Sequence, residues 1–184
     1  MDGLKPLENL ETLKFERCCN VDMGFVSCIR ACPALKNFSV RGSDMHIMHP
    51  HRHFPKNFWS QLKVLDVSGT RHYPVIMYEA VLKDIPDCSI THLYMERCPR
   101  IPRISYDNLK IEFVSVAGLR NDEWRPSKPA FDSIRNWAAL PSLKEMNASG
   151  CEMSQAQREQ LVTDHPNVTF KVSVEFQESP RVEF

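Results

Sequence analysis

The feature that most constrains this chain is a nine-residue phrase that returns at near-regular intervals. It reads apolar, two residues, apolar, one residue, apolar, two residues, then a small residue. The copies are Leu10-x-x-Leu13-x-Phe15-x-x-Cys18, Leu35-x-x-Phe38-x-Val40-x-x-Ser43, Leu62-x-x-Leu65-x-Val67-x-x-Thr70, Ile90-x-x-Leu93-x-Met95-x-x-Cys98, a looser Ile111-x-x-Val114-x-Val116-x-x-Leu119, and Leu143-x-x-Met146-x-Ala148-x-x-Cys151. A degenerate seventh follows at Val168-x-Phe170-x-Val172, and successive starts lie 25, 27, 28, 21, 32 and 25 residues apart. Alternation of positions four and six is the period of a strand with one buried face. Position one plugs the core where the chain turns into the strand, and position nine turns it away. Cys, Ser or Thr fills position nine in five of six copies, where a small polar side chain can satisfy bent backbone. One such unit cannot bury its own apolar face, so neighbours must stack into a parallel sheet.

Helical return segments can be read between several copies. Asp22 to Ala31 places Phe25, Val26, Cys28 and Ile29 on one side and is stopped by Cys32-Pro33. Pro74 to Ile85 and Ala130 to Leu140 read similarly, the latter through Phe131, Ile134, Trp137 and Ala138. Ser154 with Gln157 forms a capping box for a last helix through Val162. Pro99-Arg100-Ile101-Pro102-Arg103 forbids a regular helix, which fits the shortest interval. The fold class expected is α/β: a curved parallel sheet on a concave side, with helices and irregular turns on the convex side. Residues 1–172 form one domain of six to seven irregular coils, and 173–184 form a C-terminal tail.

Composition narrows the function classes. Lys+Arg and Asp+Glu both number 23 in 184 residues, so there is no basic surplus for a phosphate backbone and nucleic acid is not an expected partner. No apolar run is long enough to span a membrane. The amino terminus shows no apolar signal core, and seven cysteines are an odd count, which together point to reduced thiols in the cytoplasm or nucleus. Three Asn-x-Ser/Thr triplets begin at Asn37, Asn147 and Asn167, all in segments read as strands, where glycans fit poorly.

The stretch Cys18-Cys19-Asn20-Val21-Asp22-Met23-Gly24-Phe25, followed by Ile29-Arg30-Ala31-Cys32-Pro33-Ala34-Leu35-Lys36-Asn37-Phe38, resembles the cysteine-containing class of leucine-rich repeat. The same join into a strand returns as Leu140-Pro141-Ser142-Leu143 and His165-Pro166-Asn167-Val168. The resemblance covers about residues 4 to 172, and the phrase intervals centre on the 20–29 residues of that repeat. This class is typical of F-box leucine-rich repeat proteins, the substrate receptors of ubiquitin ligases. It implies a solenoid that recognises another protein without catalysis, with no cofactor. No F-box-like segment precedes the first coil, and the chain begins almost inside that coil, which fits a piece or a relative of a longer protein. Two further readings stay open: a structural subunit of a larger complex, or the repeat portion of an immune-type receptor. The oligomeric state is left open.

The candidate site is the concave row, because residues between the buried ones point outwards and solenoid concavities bind partners. Its expected contributors are Lys14, Glu16, Asn37, Arg41, Asp66, Ser68, His92, Tyr94, Glu96, Phe113 and Glu145, with Arg41, Asp66, Tyr94 and Phe113 as anchors. Ser39, Ser115, Ala117, Asn147 and Ser149 fall in the same rows. Four histidines in one loop, His46, His49, His51 and His53, have the chemistry of a metal site, but a surface insertion explains them better than the fixed four-ligand geometry a zinc site demands. Cys18, Cys19, Cys28 and Cys32 invite a zinc reading, but Cys18 is read as the turn residue of its copy and Cys28 and Cys32 as lying on or beside the buried helix face. Trp124, in the insertion behind the longest interval, is read as folding back over the coil edge. No nucleophile elbow, phosphate loop or metalloprotease helix occurs.

Overall fold

A computed structural model describes residues 7–19, 24–43, 58–70, 88–98, 109–119, 130–177 and 179–181. The chain is α/β, with one seven-stranded sheet whose strands pair in parallel and in sequence order. The strands are β1 (Thr12–Lys14), β2 (Asn37–Ser39), β3 (Val64–Asp66), β4 (His92–Tyr94), β5 (Phe113–Ser115), β6 (Glu145–Asn147) and β7 (Thr169–Lys171). Each copy of the phrase supplies one strand, and register aligns position four throughout: Leu13, Phe38, Leu65, Leu93, Val114, Met146 and Phe170 are successive partners. The looser fifth copy is therefore in step with the rest.

The ladder runs beyond the three-residue strands. Position-six amides donate to position-five carbonyls of the next copy, as in Phe15 to Ser39 and Val116 to Asn147. Position-eight amides donate to position-seven carbonyls, from Arg17 to Arg41 through Gly150 to Ser173. Position eight is left-handed in all six full copies: Arg17, Gly42, Gly69, Arg97, Gly118 and Gly150 have φ between 54° and 69°. Such a residue ends the extended run and reverses the chain, and glycine carries no steric penalty there. Position nine then closes the turn. The Ser43 hydroxyl and the Cys98 and Cys151 thiols donate to the position-six carbonyls Phe15, Val67 and Val116 of the preceding copies. The polar role expected at this position is thus the one observed. Burial pushes the Cys98 thiol up to about 12 and the Cys151 thiol to about 11, so neither is a thiolate near neutrality.

Four helices are described: α1 (Gly24–Arg30), α2 (Phe58–Gln61), α3 (Ala130–Ala138) and α4 (Gln155–Asp164). The α1, α3 and α4 expectations are met in place. Short α2 went unread, because four residues carry too little period. Ile29, Phe58, Trp59, Ile134, Trp137 and Leu161 join the position-one, -four and -six residues in one core on one face of the sheet. The entries into β2, β6 and β7 are turns with proline at their second position, closed by Leu35, Leu143 and Val168 amides on the Cys32, Leu140 and His165 carbonyls. Both halves of the capping box at Ser154 form. Asn37 and Asn147 lie in strands as expected, whereas Asn167 is exposed in the turn before β7. The histidine-rich loop, the Pro74–Ile85 helix, the Pro99–Arg103 segment and Trp124 lie outside the described residues.

Candidate functional site

The opposite face of the sheet carries positions three, five and seven, and it is not bare. Residues 173–177 and 179–181 return across it from β7 towards β3, so the described part of the C-terminal tail is packed on the sheet. Its path is set by hydrogen bonds at every second residue. The Gln177 carbonyl accepts from Asn147 Nδ2 at 2.8 Å and from the Ser149 hydroxyl at 3.0 Å, and the Gln177 amide donates to Ser149 Oγ at 2.9 Å. Ser179 bonds the Ser115 hydroxyl and Asn147 Nδ2, at 2.9 and 2.7 Å, while its amide donates to Glu96 Oε1 at 2.9 Å. Arg181 then reaches Asp66 Oδ2 at 3.0 Å and Glu96 Oε2 at 2.6 Å. Residues 177, 179 and 181 thus face the sheet with the alternation of an extended chain. The rows beneath are Ser115, Ala117, Asn147 and Ser149; their small side chains let a backbone approach closely.

Two features upstream aim this segment. Arg158 of α4 is buried, and its guanidinium donates to the carbonyls of Cys151, Met153, Val172 and Ser173. It joins the turn after β6 to the exit of β7. Phe176 lies over Gly118 and Gly150, with the Arg97 guanidinium 4.2 Å from its ring centroid. A Cβ built on Gly150 would stand 2.7 Å from Phe176 Cα, and one on Gly118 2.9 Å from its ring. Both glycines are therefore required twice, by a φ near 67° and by the close passage of the segment.

The centre of the face is an arginine pocket. The Arg181 guanidinium lies 4.4 Å from the Tyr94 ring centroid, within cation–π reach, and Tyr94 donates its hydroxyl to the Pro180 carbonyl at 3.3 Å. Tyr94 packs on Phe113, with His92 stacked on the outer side of Phe113 at 5.8 Å. Asp66 and Glu96 are each about 1% exposed. Their environments split them. Burial pushes the Asp66 carboxyl up, against the opposing effects of Arg181 and the Ser68 amide. Burial would also raise Glu96, but donors from Arg181, Ser115 and the Ser179 amide outweigh it and hold Glu96 below the usual range. The same partners keep Arg181 above its ordinary value although burial acts the other way.

The expected site residues divide accordingly. Asp66, Ser68, Tyr94, Glu96 and Phe113 come together at the centre, but they are buried beneath the chain's own segment rather than open as expected. The reason is charge: two carboxylates on one face require a cation, and Arg181 supplies it. Ser68 orders this pair, its amide on Asp66 and its hydroxyl accepting from the Glu96 amide. Lys14 and Glu16 are exposed and Arg41 is half-buried near β1 and β2; Glu16 accepts from Ser39, and Asn37 donates to Thr12. Half-buried His92 borders the pocket, and burial pushes its imidazole down despite Glu112 and Glu145. Glu145 pairs with Lys171 at 3.1 Å. Sequence reading missed Arg158, the left-handed eighth position and the segment's path. The glycines at position eight in four of six copies signal the second, and the small residues of β5 and β6 are a trace of the third.

Among the described residues no group of three or more His, Cys, Asp or Glu is placed to hold a metal ion, and no helix is long and apolar enough to cross a membrane. Cys18, Cys19, Cys28 and Cys32 are free thiols, and Cys32 donates to the Cys28 carbonyl. Compared with family models, curated proteins and solved structures, the chain matches none.

Proposed function

We propose that the chain is a leucine-rich repeat solenoid that recognises another protein through the sheet face opposite its helices. One observation carries the reading: this face already holds an extended polypeptide segment, through side chains that successive strands present in register. The chemistry it offers is recognition chemistry. Tyr94 and Phe113 supply aromatic contact area, Asp66 and Glu96 supply directional charge, Asn147 and Ser149 supply donors and an acceptor for a backbone, and Ser115 accepts from a side-chain hydroxyl. Aromatic anchors ringed by polar groups are what a protein interface uses. Among the described residues of this face no group is arranged as a nucleophile with a base, and we read the role as non-catalytic. The narrower reading, the substrate-recognition part of a ubiquitin ligase receptor in the cytoplasm or nucleus, has its support in the Cys32-Pro33 join, its counterparts at Pro141 and Pro166, and the position-nine cysteines.

The test is site-specific photocrosslinking in cells. A photoreactive side chain placed at His92 or Arg41, on the margins of the segment, is expected to capture a discrete protein. The same group at exposed Glu159 on α4 is expected to capture none. Capture from Glu159 alone would move the interface to the helical side and end the proposal.

A further inference from the structure

The segment 177–181 is held differently from the rest of the molecule. It adds no strand to the sheet, and its hold is a set of side-chain hydrogen bonds ending in one guanidinium. Its own Pro180 and the nearby Val174 are exposed, so it adds little to the apolar core. A buried ion pair is weak evidence for stability, because desolvation offsets much of its attraction. What such a pair does supply is selectivity: two carboxylates and a stacked ring around one planar guanidinium reject other side chains. Few apolar contacts hold the segment, which is a mark of the parts of a protein that open more readily.

We infer that the pocket formed by Asp66, Tyr94 and Glu96 is an arginine receptor for an extended Ser-Pro-Arg segment of a partner protein, and that residues 179–181 occupy it in cis until the partner displaces them. This rests on the proposal that the face recognises protein, and it names the chemistry of what is recognised. The geometry specifies each requirement. The partner residue over β4 and β3 is arginine, with Oδ2 of Asp66 and Oε2 of Glu96 at 3.0 and 2.6 Å and the Tyr94 ring beneath. The residue before it lends only a carbonyl, to the Tyr94 hydroxyl. The residue two before it is small and polar, to fit between Ser115, Asn147 and the Glu96 carboxylate. The acidic floor sets the sign of the ligand: it takes a cationic segment and repels an acidic one.

The experiment uses the full chain and a fluorescein-labelled peptide with the sequence of residues 174–184. Arg181→Glu evicts the chain's own segment, because a third carboxylate cannot sit between Asp66 and Glu96. This variant is expected to bind the peptide by fluorescence anisotropy at least about tenfold more tightly than wild type, whose pocket is filled. A peptide with alanine in place of its arginine is expected to bind roughly a hundredfold more weakly, as when one partner of a buried charge pair is truncated. Tyr94→Ala added to Arg181→Glu weakens binding further. Circular dichroism and the unchanged core establish that each variant is folded; should Arg181→Glu unfold, Arg181→Ala carries the same comparison. Equal binding by wild type and variant, no binding by a folded variant, or indifference to the peptide's arginine each overturn the inference. Wild-type dimers that exchange the segment between copies would make a second copy the occupant, and would also overturn it. A folded variant that ignores the peptide yet still captures a protein from His92 sinks the arginine pocket alone.

Discussion

At their centres the two faces of the sheet are equally dry, and they are made dry by different forces. On the helical face, Phe38, Leu65, Leu93, Val114 and Met146 are 0–1% exposed because apolar side chains stack strand on strand and helices cover them. On the other face, Asp66, Glu96, Ser115, Asn147 and Ser149 are as deeply buried, yet each is polar and needs a partner of fixed geometry. The first kind of burial is non-directional, tolerates Leu, Phe, Val and Met at the same position, and is driven by area. The second tolerates little, since an unpaired buried polar group costs about 1–3 kcal/mol. One face therefore holds the molecule together, and the other selects what lies on it.

The contrast can be broken from either side. The largest effect belongs to the apolar stack: Leu93→Ala is expected to lower unfolding free energy by about 2–5 kcal/mol in urea titration. A loss under about 1 kcal/mol would mean that the stack is not the main support. Next comes a matched pair of glycines. Gly69→Ala meets only ordinary contacts at 3.6 Å and suffers from its φ of 69° alone, about 1 kcal/mol. Gly150→Ala has the same φ problem and in addition drives Cβ into the Phe176 backbone. It is expected to cost clearly more, and only it should expose the Gln177 and Ser179 amides to rapid hydrogen exchange. Equal costs would show that the segment does not lie over Gly150. Smaller again is Ser154→Ala, about 1 kcal/mol by thermal melting through loss of the α4 cap.

Much of the apolar face was legible in the sequence, because a hydrophobic period survives any choice among Leu, Val, Ile, Phe and Met. Leu13, Leu65 and Leu93 align in one sheet as the phrase required, and even Ile111-x-x-Val114 kept its register. The candidate site was legible only as a row of outward residues. Tyr94, Phe113 and Asp66 were singled out for their types, and they do converge. What covers them was not legible, since the contact pairs Arg181 with Asp66 across 115 residues and leaves no local period. The turn at position eight was half legible: glycine marks four copies, but Arg17 and Arg97 adopt the same left-handed conformation without announcing it. Arg158 was illegible for a related reason, because a guanidinium satisfied by four carbonyls looks in sequence like any charged residue on a helix.

The smallest effect expected is also the one that best separates the two faces, because pH acts only on the polar one. Glu96 sits below its ordinary 4.5 in the folded chain. Its contribution is therefore present above pH 4.5 and is lost as pH falls through the depressed folded value. Asp66 sits above its ordinary 3.8, so it acts in the opposite sense: its burial is least costly when protonated and counts against the folded state as pH rises. The two partly cancel, which keeps the net slope shallow. Glu96→Gln removes the first effect and leaves the second. Wild type is expected to loosen residues 179–181 below about pH 4.5, read as a lower protection factor of the Ser179 amide relative to its intrinsic exchange at each pH, while the sheet amides of Phe38 and Leu65 stay protected. In Glu96→Gln the Ser179 amide should be less protected at neutral pH and show no further acid-induced loss of protection. An acid transition of unchanged size in that variant would place its origin in another carboxylate, and would detach the stability of the segment from the pocket that Arg181 fills.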